Sequence, residues 1–471
     1  MDRAVSRLTE GVATADLDLV IRGGRVITAA SDGPADIGVR DGRVVQLGER
    51  VGPARCEIDA TGLLVLPGGI DAHVHFTPVE TAERRLAWAD DYASGSRAAA
   101  AGGITTVGDI AFTRPGEHLL TGLDRIGRAA AEQSLVDFLL HPVLLDPSPE
   151  RIAELPALAA AGYPSLKIFM HMGDFDSRAR DYLSVLTTAG RAGLLTLVHC
   201  EDGCIIGHLT DQLVQAGHTD LSYFPATRPV ASEVAAVERA VAFAEVTGAP
   251  IYLVHLSSER ALRAATHGRE RGVPVHVETR PIYLLFTDER FSGDEPALYV
   301  GNPPLRTDAD VDALWRGLEQ GTISTCCTDH APWTREAKLD PTLSVARTRP
   351  GMADLETLLC SLYSEGVRTG RLSLSRFVEV TSTAAAKLFK LFPRKGTIAV
   401  GSDADLVVWD PERRWTVRGA QLQTRARMSL LEGRELVGRP VVTIRRGEIL
   451  MTDGVVRTDV GPGRLQTRLD R

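Results

Sequence analysis

Two histidines stand two residues apart in "GGIDAHVHF", His73 and His75. In a strand, that spacing puts both rings on the same side. A lysine, Lys167, sits inside a second apolar run, "SLKIFM". An unpaired ammonium in a strand covered on both faces is costly, because the loss of its water outweighs what packing returns. Lys167 therefore needs a role. Three further runs carry a ligand-type residue at or near their ends: His199 in "VHCEDG", His255 in "VHLSS" and Asp329 in "TDHAP". Imidazoles and carboxylates hold divalent metals; zinc suits them best, and manganese, cobalt and iron remain open. A buried amine has a depressed pKa and is partly neutral, so it can add carbon dioxide and become a carbamate, an anionic oxygen ligand able to bridge two metals. Taken singly, each residue has a plainer reading. A strand histidine is usually a hydrogen-bonded core residue, and Asp329 before His330 could cap the segment that follows.

The elements that would bring these residues together are legible in the same way. Eight short apolar runs read as strands: "VLPGGIDAHVHF", "ITTVGDI", "VDFLLHPVL", "SLKIFM", "LLTLVHCE", "IYLVHLS", "VPVHVETR" and "ISTCCTDH". Helical patterns such as "DDYASGSRAAAAG", "SEVAAVERAVAFAEVTG" and "SERALRAATHGRERG" fall between them. Such an α/β alternation predicts a (β/α)8 TIM-type barrel over residues 67–392, whose C-terminal strand ends converge on one mouth. No GxGxxG follows an early strand to favour an open dinucleotide-binding sheet. Residues 16–66 and 393–458 have another texture, short β segments separated by DG and GG turns, and predict a small β-sandwich domain built from both termini. Residues 1–15 are expected to be a flexible N-terminus and 459–471 a polar tail.

Composition narrows the function. A chain of 471 residues exceeds one simple core, and 44% apolar with 24% charged residues is ordinary for a globular enzyme. Net charge is −8 with no basic cluster beyond pairs such as Arg84-Arg85, which argues against a nucleic-acid partner. With no signal-peptide core and no window near the roughly 18 apolar residues of a membrane span, the expectation is a cytoplasmic chain with no membrane partner. Six cysteines then read as reduced thiols. Cys200 and Cys204 beside His199 raise the idea of a zinc knuckle, but no second pair lies at finger spacing, and small buried side chains are the plainer reading.

Taken in order, "GGIDAHVHF", "SLKIFM", "VHCEDG", "VHLSS" and "TDHAP", supported by "NPPLR" and "GTIAVGSDADLVVWD", resemble the amidohydrolase superfamily. Within it they look like the cyclic amidases of the dihydropyrimidinase and hydantoinase family, and the likeness runs from Asp16 to about Gly454. The resemblance implies two divalent ions held by His73, His75, carboxylated Lys167, His199, His255 and Asp329. It implies opening of a cyclic amide or imide ring by a bridging hydroxide, with Asp329 taking the proton and passing it to the leaving nitrogen. It also implies a homotetramer or homodimer.

Departures from the family pattern concern the substrate. Members that open hydantoins or dihydropyrimidines usually carry a tyrosine five residues after the bridging lysine, and its hydroxyl helps to hold the oxyanion. Met172 occupies that position, preceded by His171. The serine that usually precedes PPLR is Asn302, and Pro350 falls where an asparagine is usual. None of these changes touches a metal ligand, so a working metal centre with a remodelled pocket is expected. Met172, His171, Asn302 and Phe76 are the candidate substrate contacts, with Trp333 as a further apolar wall. Dihydroorotases carry an arginine two residues after the second histidine; Thr77 stands there, which disfavours an acidic substrate held in that way. Allantoinases also lack the tyrosine, so ureide hydrolysis is the runner-up. Non-catalytic assembly proteins of this family have lost metal ligands, whereas all six are present here. His141 and His276 lie on predicted strands and read as structural.

Overall fold

Alternating apolar and polar residues near the N-terminus give strands with one covered face. The computed structural model describes residues 8–10, 15–80, 85–172 and 174–468. It begins with β1 (Leu8–Glu10), β2 (Leu17–Ile27), β3 (Asp32–Arg40), β4 (Arg43–Gly48), β5 (Ala54–Asp59) and β6 (Leu64–Pro67). The β3–β4 hairpin turns on Asp41-Gly42, both at positive φ (53° and 75°), as a tight two-residue turn requires. β1 pairs antiparallel with β5, so Leu8–Glu10 belongs to the sheet rather than to a flexible lead. Residues 1–7 and 11–14 of that expected lead lie outside the described residues.

The run "VLPGGIDAHVHF" divides at Gly68. β6 stays with the sandwich sheet, and β7 (Gly69–Val74) opens the barrel. After a short antiparallel pair, β8 (Val79–Glu80) and β9 (Arg85–Leu86), come β10 (Ile104–Ala111), β11 (Asp137–Pro142), β12 (Ser165–Phe169) and β13 (Leu195–His199). β14 (Ile251–Leu253), β15 (Val275–Thr279) and β16 (Thr325–Cys326) complete the set. They pair in parallel in the orders β11-β10-β7 and β12-β13-β14-β15-β16. Parallel bridges Val143–Lys167 and Val74–His330 join the two groups, which closes the eight-stranded barrel. Nearly every residue of these strands is buried, as a sheet filled inside and covered by helices outside demands. Local signals set the helix ends. Ser148 caps the helix Pro149–Ala160, and Thr307 with Asp310 forms a capping box for Asp308–Gln320. Gly321 ends the latter helix in the left-handed conformation, φ 84°.

The chain returns to the sandwich through β17 (Leu406–Thr416), β18 (Glu435–Arg445), β19 (Glu448–Thr452) and β20 (Val455–Val456). β17 lies antiparallel to β6, so one ten-stranded sheet takes strands from both ends of the chain. Leu19, Ile21, Ile37, Val65, Leu406, Val442 and Ile444 form its core. Between sandwich and barrel, the buried Lys395 amine lies 2.8 Å from Asp137, 2.5 Å from Asp405 and 3.2 Å from Asp403, and Arg446 also pairs with Asp137. The expected polar tail is docked: Leu465 bridges to Phe138, Gln466 N–H donates to Phe138 O, and the Arg468 guanidinium donates to Ala159 O. Residues 469–471 lie outside the described residues. No described helix is long and apolar enough to cross a membrane. The cysteines are free thiols, but Cys204 is exposed, not buried, with its Sγ 3.1 Å from Asp176.

Candidate metal centre

β7 delivers His73 and His75, and Asp329 follows β16 across the closing seam of the barrel. Oδ1 of Asp329 lies 2.9 Å from His75 Nε2 and 3.3 Å from His73 Nε2. The other ring nitrogen of His73 donates to Glu278 of β15 at 2.8 Å, which leaves Nε2 with its lone pair toward the site. His199 ends β13, and its Nε2 donates to Glu201 at 2.8 Å; Arg228 in turn holds Glu201 at 2.6 Å. The His255 ring stands between, 4.5 Å from His199 and 5.5 Å from His73. Lys167 lies in β12 next to β13, with its Nζ 4.9 Å from the Phe169 ring centre.

Orphaned nitrogens mark the same region. His75 Nδ1, His255 Nδ1 and Lys167 Nζ are buried without a hydrogen-bond partner among the described residues. Buried polar atoms are rarely left so. Protonation states agree with a ligand role. Burial takes His199 down to about 4 and His255 well below its ordinary value, so both imidazoles are neutral. Burial also lowers the Lys167 amine to about 8, against the opposing pull of Glu278 and Asp329. At Asp329, burial acts upward, but Arg280 and the neighbouring imidazoles outweigh it and keep the carboxylate ionised. Neutral imidazole and ionised carboxylate are the metal-binding forms, so the donor set fits divalent ions. His255 and Asp329 also adopt positive φ, 42° and 51°, a strained conformation for non-glycine residues that is typical of functional sites.

The substrate-side expectations divide. His171 is half-buried, with its ring 4.1 Å from that of His199 and its Nδ1 unpartnered among the described residues. Burial, helped by His199 and Arg228, holds it well below its ordinary pKa. Met172 is half-buried against the interior cluster that includes Phe112 and Phe169. Asn302 is half-buried and its Oδ1 is unpartnered among the described residues. Phe76, by contrast, is not a substrate contact. It is 3% exposed and packs on Tyr92 and His330 in the core behind β7, where Gly95 leaves the space that a Cβ would fill. Trp333 donates its indole N–H to Pro350 O at 2.9 Å and stacks edge-on against Trp88, which stands 5.3 Å from His75. His141 is held by Ser165 at 2.6 Å.

Glu201, Glu278, Arg280 and Trp88 were not singled out from the sequence. Glu201 had a signal, since it follows His199 at the same two-residue spacing as His73 and His75. The others are recognisable only through partners remote in the chain.

The pattern of the amidohydrolase family matches residues 64–450. D-hydantoinase of Rhizobium radiobacter is 37% identical over 444 residues, covering 93% of this chain and 96% of the relative. D-phenylhydantoinase of Escherichia coli O9:H4 (strain HS) is 34% identical, covering 96% and 98%. Among solved structures, D-hydantoinase (dihydropyrimidinase) of Thermus sp. superimposes with a TM-score of 0.91 at 35% identity, covering 96% of this chain and 99% of that one. A match this long makes the chain a member of the amidohydrolase family, in its hydantoinase branch.

Proposed function

We propose that the protein opens a hydantoin-like cyclic amide or imide ring bearing an apolar substituent, at two divalent ions held by His73, His75, Lys167, His199, His255 and Asp329. The observation that carries this reading is the convergence of His73, His75 and the ionised Asp329 at the barrel mouth, with the buried Lys167 amine left without a partner among the described residues. Zinc is the ion proposed, and Lys167 is proposed to act as its carbamate. When bound, such ions polarise a carbonyl and lower the pKa of water. Asp329 accepts the proton of the attacking water and delivers it to the leaving ring nitrogen. Asn302 offers its free Oδ1 to a ring N–H. His171, held neutral, still has one N–H to donate as charge develops on the carbonyl oxygen, the task of the tyrosine replaced by Met172. Met172, Trp88, Trp333 and Phe112 give the substituent an apolar wall, which favours an aryl hydantoin over the polar ureide allantoin.

Metal-reconstituted, bicarbonate-treated protein is to be assayed on 5-phenylhydantoin, dihydrouracil, succinimide and allantoin, with Lys167→Ala as control and metal content measured. The expected result is Lys167-dependent opening of 5-phenylhydantoin, with kcat/KM at least about tenfold above allantoin, the worth of one well-filled apolar contact. Preference for allantoin would replace this reading with the ureide one. Silence across the panel with two metals bound would overturn it.

A further inference from the structure

Arg280 is fully buried immediately after β15. Its Nη1 donates to Oδ2 of Asp329 at 2.9 Å, Nη2 contacts Met352 Sδ at 3.6 Å, and Nε has no partner among the described residues. On its far side, Asp354 Oδ2 lies 3.7 Å from Nη2. Asp354 is itself buried, and neither of its oxygens receives a hydrogen bond from the described residues. Taking a guanidinium and two carboxylates out of water is expensive, and an apolar residue of similar volume would serve the fold at least as well. Stability therefore gives no reason for this charge at this place.

Geometry supplies one. The two oxygens of Asp329 are not equivalent: Oδ1 faces His73 and His75, while Oδ2 is occupied by Arg280. A carboxylate turns readily about its terminal torsion, so nothing in Asp329 alone selects which oxygen faces the imidazoles, or whether both do. The planar guanidinium makes that selection. Asp354 behind it balances the charge and keeps the guanidinium from swinging away.

We propose that Arg280 is a positioning residue that presents only Oδ1 of Asp329 to the metal ions, with Asp354 holding Arg280 in that pose. The proposal rests on the reading of Asp329 as a metal ligand. Arg280→Met, Arg280→Lys and Asp354→Asn are to be compared with the native chain in two measurements: zinc affinity, by competition of metal-free protein with a chromophoric chelator, and kcat and KM on 5-phenylhydantoin. Loss of a partner that orients a ligand weakens metal binding or activity by about 10–100-fold. Arg280→Met is expected to show that loss in both zinc affinity and kcat, with KM nearly unchanged. Arg280→Lys keeps the charge without the fork and should fall between; Asp354→Asn should shift both quantities in the same direction by less. A folded Arg280→Met protein, judged by circular dichroism and melting temperature, with native zinc affinity and kcat would overturn the proposal. If that variant does not fold, native zinc affinity in Arg280→Lys does the same. Failure of the native chain to bind zinc removes Asp329 as a ligand and this role with it. Weakened zinc binding in the variants of a chain that opens no ring would instead sink the proposed substrate and leave Arg280 in place.

Discussion

Lys167 and Lys395 are both excluded from water, yet the protein treats them oppositely. Lys395 meets three carboxylates, Asp137, Asp403 and Asp405; burial acts to lower its pKa, but these neighbours outweigh it and raise it above the ordinary value. Lys167 meets no acceptor among the described residues and is brought down to about 8 by burial. The same contrast separates two ligand-like clusters. His73, His75 and Asp329 converge as metal ligands would, and so do Asp137, Asp403 and Asp405. The aspartates, however, are already paired with Lys395, Arg394 and Arg446. Convergence of ligand atoms is therefore a weak sign of a site. Convergence together with buried nitrogens left without partners is a strong one.

The sharpest way to break the contrast is to remove each lysine. Lys167→Ala is expected to reduce kcat/KM by about 10³-fold or more, since several kcal/mol of transition-state stabilisation depend on the metal centre. Measured without metal, its melting temperature should fall only by the packing lost with the buried stem, because the amine it removes has no hydrogen-bond partner among the described residues. Equal loss of stability and activity would remove the distinction. Lys395→Met should do the reverse. It strands buried carboxylates and is expected to cost about 3–5 kcal/mol in urea unfolding, while the folded fraction keeps its kcat. A loss of kcat there would tie the domain joint to the chemistry. The smallest effect concerns acid. Asp90 accepts from His330 Nε2 at 2.9 Å, Thr424 Oγ1 at 2.5 Å and Arg425 N–H at 2.8 Å. Burial acts to raise its pKa, but these donors prevail and hold it at about 2. Its folded value lies below its unfolded one, so the stabilisation is full above about pH 4 and is lost as pH falls toward 2. Asp90→Asn should flatten stability across that window by about 2 kcal/mol. An unchanged acid limb would show that Asp90 carries none of it.

The barrel was legible because its strands are buried on both faces and read as unbroken apolar runs. The division at Gly68 was not, because β6 and β7 follow each other with no change of pattern, and only pairing partners tell sandwich from barrel. The six proposed ligands were legible as residue types foreign to apolar strands. Phe76 was misplaced although alternation argued against it: as the neighbour of His75 in extended chain, it points to the opposite side. Arg280 carried no signal at all, since what makes it notable is Asp329 and Asp354, both far along the chain. The docking of Leu465 and Arg468 was hidden for the same reason, because a polar segment does not announce the backbone carbonyls it will meet.

The pairing of β6 with β17 bears on how the molecule comes into being. During synthesis the first six strands emerge early, but the partner of β6 is made only after the entire barrel. Until then β6 presents an unpaired edge of apolar residues, Leu64 to Leu66, of the kind that recruits other strands. The seam of the sandwich sheet thus closes late, and the nascent chain is most exposed to misassembly during the interval in which its barrel is being made.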